Sequence, residues 1–133
     1  MNGKLIDFYS GFEGDGEVII YGADTISIWD GYIDPILGVL LKVENDYRED
    51  GAAFGIVYDW VTCTGWNGIT FDKHLVMNLE DEIYAFSQFD ITLLDEMEYN
   101  GRWKQKIIDV HKAILELFID AQEKNIDVYI QDS

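Results

Sequence analysis

The chain has 133 residues, 48% of them apolar and 14% aromatic, and a formal net charge of −17 at pH 7. A length in this range predicts one globular domain, residues 1–133, and the apolar content can build a core, which excludes the disordered class that charge alone would indicate. The acidity is concentrated: between Leu5 and Gly101 the only bases are Lys42, Arg48 and Lys73, so that segment alone carries −17. Such a field repels nucleic acid and anionic membranes and draws in basic protein surfaces.

In chain order, Leu5 to Tyr9 sets Leu5, Asp7 and Tyr9 on one side and Ile6 and Phe8 on the other, the alternation of a short strand. Gly11 to Gly16 reads as a turn or hairpin loop, because its glycines supply positive φ without steric cost. Glu17 to Tyr21 and Thr25 to Trp29 are β-branched and broken only by Gly22-Ala-Asp24, which predicts two strands paired as a hairpin. Asp34-Pro35 has the form of a helix start, with Asp as N-cap and Pro at the first helical position. Ile36, Leu37, Leu40, Leu41 and Val43 then make an apolar face that Tyr47 extends and Gly51 closes, although a β reading of Ile36 to Val43 stays open.

Ala53 to Cys63 is aromatic and β-branched and predicts a central strand; Gly65 to Gly68 is a turn containing Asn-Gly, and Ile69 to Phe71 a short return strand. Asn78 caps a second helix, with Glu80, Asp81 and Glu82 in its first turn, where the dipole favours negative charge, and Leu79, Ile83 and Phe86 on its buried side. Asp90 caps a short helix through Leu93, Leu94 and Met97, ended by Asn100-Gly101. From Arg102 to about Lys124, the residues Trp103, Ile107, Val110, Ile114, Leu117 and Ala121 recur at helical spacing, and Ile108, Leu115 and Phe118 widen the stripe to suit packing on a sheet. Asn125 is the expected C-cap, and Ile126 to Ile130 a closing strand. The order β-β-β-α-β-β-α-α-β predicts an α+β fold: a mainly antiparallel sheet, helices packed on one face, and a long C-terminal helix followed by a short strand.

The long helix runs against its own dipole. Arg102, Lys104 and Lys106 lie at its N-terminal end and Glu116, Asp120 and Glu123 at its C-terminal end, a cost of about 0.3–1 kcal/mol per well-placed charge. Two readings follow: the bases neutralise nearby acids such as Asp95, Glu96 and Glu98, or the helix ends form a polar binding edge.

The chemistry-bearing residues are sparse. Cys63 is the lone thiol and His74 and His111 the only imidazoles, without the spacing of a zinc site. His111 borders the apolar stripe and reads as a packed or half-exposed histidine, and Cys63 as a structural thiol in an apolar strand. Acids cluster at Glu13, Asp15 and Glu17 and at Glu44, Asp46, Glu49 and Asp50, without the EF-hand pattern. There is no P-loop and no G-x-S-x-G. The expectation is a non-enzyme without cofactor or metal. A single cysteine, no signal-peptide pattern and no run near about 20 apolar residues predict a soluble cytoplasmic protein, monomeric or homodimeric.

Aromatic residues interleave with the acids, a composition suited to anchoring a cationic protein surface. The candidate partner-binding residues are Asp30, Tyr32 and Asp34; Glu44, Asp46, Tyr47, Glu49 and Asp50; and Trp66 in its turn. In size, acidity, lone cysteine, α+β pattern and lack of a catalytic motif the chain resembles the small acidic immunity proteins of bacterial toxin–immunity systems, including contact-dependent growth inhibition. The resemblance implies tight binding of a cognate basic toxin domain, such as a nuclease, and no site residue is carried over from it. The alternatives are a nucleic-acid mimic that inhibits a DNA- or RNA-binding protein, and a small enzyme or metal-binding domain.

Overall fold

The computed structural model describes residues 3–47, 74–76, 78–96 and 102–132. In chain order these form β1 (Leu5–Phe8), β2 (Glu17–Tyr21), β3 (Thr25–Trp29), α1 (Asp30–Tyr47), β4 (His74–Leu75), α2 (Leu79–Ser87), α3 (Ile91–Glu96), α4 (Arg102–Lys124) and β5 (Tyr129–Asp132). The architecture is α+β. The strands predicted at Ala53 to Cys63 and Ile69 to Phe71 lie outside the described residues.

One five-stranded sheet has the order β1-β3-β2-β5-β4. All of its pairs are antiparallel except β1 with β3. The register lines up Ile6, Ile26, Ile20 and Ile130 as one row across four strands. Period-two alternation puts that row on a single face, and Ile20, Ile26 and Ile130 are buried there with Val18 and Ile28. α1 and α4 cover this face with Ile33, Ile36, Leu37, Leu40, Ile107, Val110, Ile114 and Phe118. Each such side chain contributes about 1.5–3 kcal/mol on burial. α2 and α3 extend the layer, with Phe86 edge-on to Phe118 at 5.2 Å and Leu94 buried.

Several boundaries follow local chemistry. Asn78 accepts the Asp81 N–H at the start of α2, and Asp90 accepts from Thr92 N at 2.9 Å at the start of α3. α4 ends in a Schellman turn: Ile126 N donates to Ala121 O at 2.8 Å and Asn125 N to Gln122 O, while Asn125 takes φ 58°.

Three expectations need correction. The Gly11–Gly16 segment is not a hairpin, because β3 lies between β1 and β2; it is a crossing turn whose Gly11 and Gly14 do take positive φ, 99° and 101°. α1 begins at Asp30, not after Asp34, so Pro35 lies within the helix. Pro35 removes one backbone bond at a cost of about 3 kcal/mol. Burial of Tyr32 and Ile33 in the first turn outweighs that cost, and Asp30 N donating to Gly16 O fixes the helix entry. The closing strand starts at Tyr129, three residues after its predicted start, because Ile126 is held by the Schellman turn.

Among the described residues no helix is long and apolar enough to cross a membrane.

Candidate functional site

Among the described residues, a polar and aromatic constellation lies where the β1–β2 loop meets the first turns of α1 and α4. The loop is closed on itself by its own acids. Asp7 Oδ1 accepts from Tyr9 N at 2.8 Å and Ser10 N at 2.9 Å. The Glu13 carboxylate accepts from Gly11 N at 3.0 Å. Tyr9 Oη donates to the Asp15 carbonyl at 2.7 Å, and two turn bonds, Phe12 N to Tyr9 O and Asp15 N to Phe12 O, complete the loop. Carboxylates satisfying backbone N–H groups hold the loop in one shape, so little conformational freedom remains to be lost on binding.

Phe12 pins this loop to the domain. Its ring stacks on Trp29 at 3.9 Å with an interplanar angle of 3°. Tyr32 meets both edge-on, at 5.6 Å and 5.1 Å. Trp103 closes the group, with centroids 5.6–6.1 Å from the other three. Such pairs each add about 0.5–1.5 kcal/mol beyond area burial. Tyr32 is only 6% exposed, whereas Phe12, Trp29 and Trp103 keep partly exposed rims. A depression of about 110 Å³ beside the cluster is lined by Asp7, Phe8, Ser10, Phe12, Tyr32 and Lys106.

Asp30 is the electrostatic focus. Partial burial, and next the negative charge of Asp15, raise its carboxyl above the usual 3.8, and the Gly31 N–H partly offsets them. The Asp30 carboxylate lies against Gly16, next in the chain to Asp15, so a cation placed between the two acids would relieve their repulsion.

Of the nine predicted contact residues, six lie on α1, in two separate groups. Asp30, Tyr32 and Asp34 share the first turns of α1, Tyr32 inside and Asp34 partly exposed. Tyr32 is therefore a supporting ring of the core, not an exposed anchor. Glu44, Asp46 and Tyr47 belong to the last turn of α1, about 20 Å away along the helix axis at 1.5 Å per residue. Glu49, Asp50 and Trp66 lie outside the described residues, as does Cys63. Phe12 and Trp103 were missed as site residues; a lone aromatic in a Gly-rich loop, where solvent exposure should make it costly, is the sequence signal that marks Phe12.

His111 is a packed residue. His111 Nε2 lies 2.6 Å from the Phe86 carbonyl and its ring stacks on Phe89 at 4.2 Å. Burial lowers its pKa, so the neutral ring donates from Nε2. Glu82, in the first turn of α2, is 2% exposed. Among the described residues no three His, Cys, Asp or Glu side chains are grouped to hold a metal ion. Comparison with known proteins returns no match to a family model, a curated sequence or a solved structure.

Proposed function

We propose that the chain is an acidic protein-binding inhibitor, an immunity-type protein that binds and neutralises a cognate basic toxin domain, such as a nuclease, in the cytoplasm. The observation that carries this reading is the approach of Asp30, at the start of α1, to Asp15 on a loop fixed by its own hydrogen bonds: the Asp30 carboxylate lies against Gly16, the residue after Asp15. A rigid acidic knob on an aromatic base pre-pays the ordering cost of association, and the −17 field accelerates encounter with a basic surface. In this reading Asp15, Asp30 and Asp34 receive Lys or Arg side chains, and the rims of Phe12, Trp29 and Trp103 supply apolar contact. The acids at the far end of α1 act through the field.

A pull-down from the source organism at low and high salt, read by mass spectrometry, tests this. One basic partner retained at high salt, and weakened by Asp15→Asn/Asp30→Asn, is expected. Several nucleic-acid-binding proteins, all released by salt, would instead identify a nucleic-acid mimic; no partner at any salt would overturn the reading.

A further inference from the structure

β1 is one edge of the described sheet and pairs only with β3. The carbonyl of Lys4 accepts from Thr25 N at 2.9 Å, and its N–H donates to Asp24 Oδ1 at 3.0 Å. The peptide groups of Lys4 therefore face β3. Alternation turns those of Ile6 and Phe8 the same way and those of Leu5 and Asp7 outward. Of the features that blunt an edge, this one has its shortness, the charge of Asp7 and the flanking Lys4, but Leu5–Phe8 contains no Pro and Leu5 is 65% exposed.

A groove of about 300 Å³ runs beside this edge, between β1 and the C-terminal half of α4. Ile6, Ala113 and Leu117 form its apolar wall, and Asp24, Glu116 and Asp120 its acidic one. Its one cation, Lys124, is paired to Asp120 at 3.2 Å in an exposed ion pair, the kind that water and salt readily weaken. The groove also lies at the negative end of the α4 dipole, so the carboxylates of Glu116 and Asp120 and the last carbonyls of the helix add to one negative potential.

We propose that β1 and this groove receive an extended basic segment of a partner protein. The segment adds a strand along the peptide groups of Leu5 and Asp7 and lays a Lys or Arg side chain in the groove. The methylenes of that side chain rest on Ile6, Ala113 and Leu117, and its head reaches Glu116 and Asp120. Charge complementarity decides the occupant: a second copy of this chain would bring −17 against −17, whereas a basic strand meets Asp7 on the edge and Asp24, Glu116 and Asp120 in the groove. The inference rests on the reading of this protein as a binder of a basic partner and assigns it a second contact surface, apart from Asp15 and Asp30.

The test is an amide-shift NMR titration with a blocked ten-residue peptide alternating Arg and Val. Shifts are expected at Leu5, Asp7, Ala113, Glu116 and Leu117. Glu116→Gln/Asp120→Asn should weaken binding roughly tenfold, while the equally neutralising Glu80→Gln/Asp81→Asn on α2 should change it little. Equal weakening by both pairs, or undiminished binding of a backbone N-methylated peptide, would overturn the proposal. The same variants separate it from the broader reading. If Glu116→Gln/Asp120→Asn keeps the partner captured by the wild type, this surface is wrong and the inhibitor reading stands; if the wild type captures no partner, the inhibitor reading itself fails.

Discussion

Replacing Gly31 by Ala tests whether the aromatic cluster is packed as described. Gly31 is the second residue of α1. In an open helix, Gly to Ala stabilises by up to about 1 kcal/mol. Here an added Cβ would fall inside the envelope of three ring carbons of Trp29, Cη2, Cζ2 and Cζ3. The indole is sandwiched, with Phe12 stacked on it at 3.9 Å, so it cannot turn aside without breaking that contact. Overpacking costs about 1–3 kcal/mol and the lost aromatic pair about 0.5–1.5 kcal/mol. These outweigh the helical gain, for a net loss of roughly 1–3 kcal/mol. Urea denaturation followed by far-UV circular dichroism measures it, because tryptophan fluorescence would also report the local change at Trp29. A Gly31→Ala protein as stable as the wild type, or more so, would refute the packing of Trp29 against the first turn of α1.

Four further outcomes are expected. Asn125→Ala should lose about 1 kcal/mol, since a Cβ without a local polar partner disfavours the left-handed region, while Asn125→Gly should be neutral or slightly stabilising; equal losses in urea melts would contradict the Schellman assignment. Asp30 has a raised pKa in the fold, so the fold binds the proton more tightly than the unfolded chain does. Its penalty is absent below 3.8 and grows as pH rises through the window above it. Asp30→Asn should therefore raise the melting temperature at pH 7 and flatten that rise of the penalty, and an unchanged pH profile would count against the partial burial of Asp30 beside Asp15. His111 should titrate below 6.5 by NMR, so its neutral form supports the fold above that range and the support is lost as pH falls through its lowered pKa; a value at or above 6.5 would mean that burial does not outweigh the Phe86 carbonyl bond. Raising NaCl from 0.01 M to 0.15 M shortens the Debye length from about 30 Å to 8 Å and should raise the melting temperature, because self-repulsion among acids dominates; a fall would mean that attractive pairs dominate instead.

The sequence was most legible where one local rule acted alone. The stripe from Trp103 to Ala121 and the αL-tolerant Asn125 mark α4 to its ends, and Asn78 and Asp90 mark the starts of α2 and α3, because caps are decided within a few residues. It was misleading where distant burial overrode a local signal. Asp34-Pro35 has the form of a helix start, yet Tyr32 and Ile33 gain more by entering the core one turn earlier. The spacing of β1 and β2 resembles a hairpin, yet the row Ile6, Ile26 and Ile20 brings β3 between them. The candidate site was half legible for the same reason. Acidity and its concentration follow from counting, and Asp30 and Asp34, named from the sequence, lie on the first turns of α1 beside the aromatic cluster. Tyr32 was misjudged because an aromatic flanked by acids has the same local sequence whether it faces solvent or core. Phe12 and Trp103 meet across 91 residues of sequence, a contact that no local pattern encodes.

The central claim is inhibition of a basic partner, and growth rescue tests it most directly. The gene for the basic protein captured from the source organism is expressed alone and together with this chain. The account predicts arrest of growth by the partner alone, recovery on co-expression, and weaker recovery with Asp15→Asn/Asp30→Asn. A partner that is harmless alone, or toxicity that persists at full expression of this chain, would contradict it.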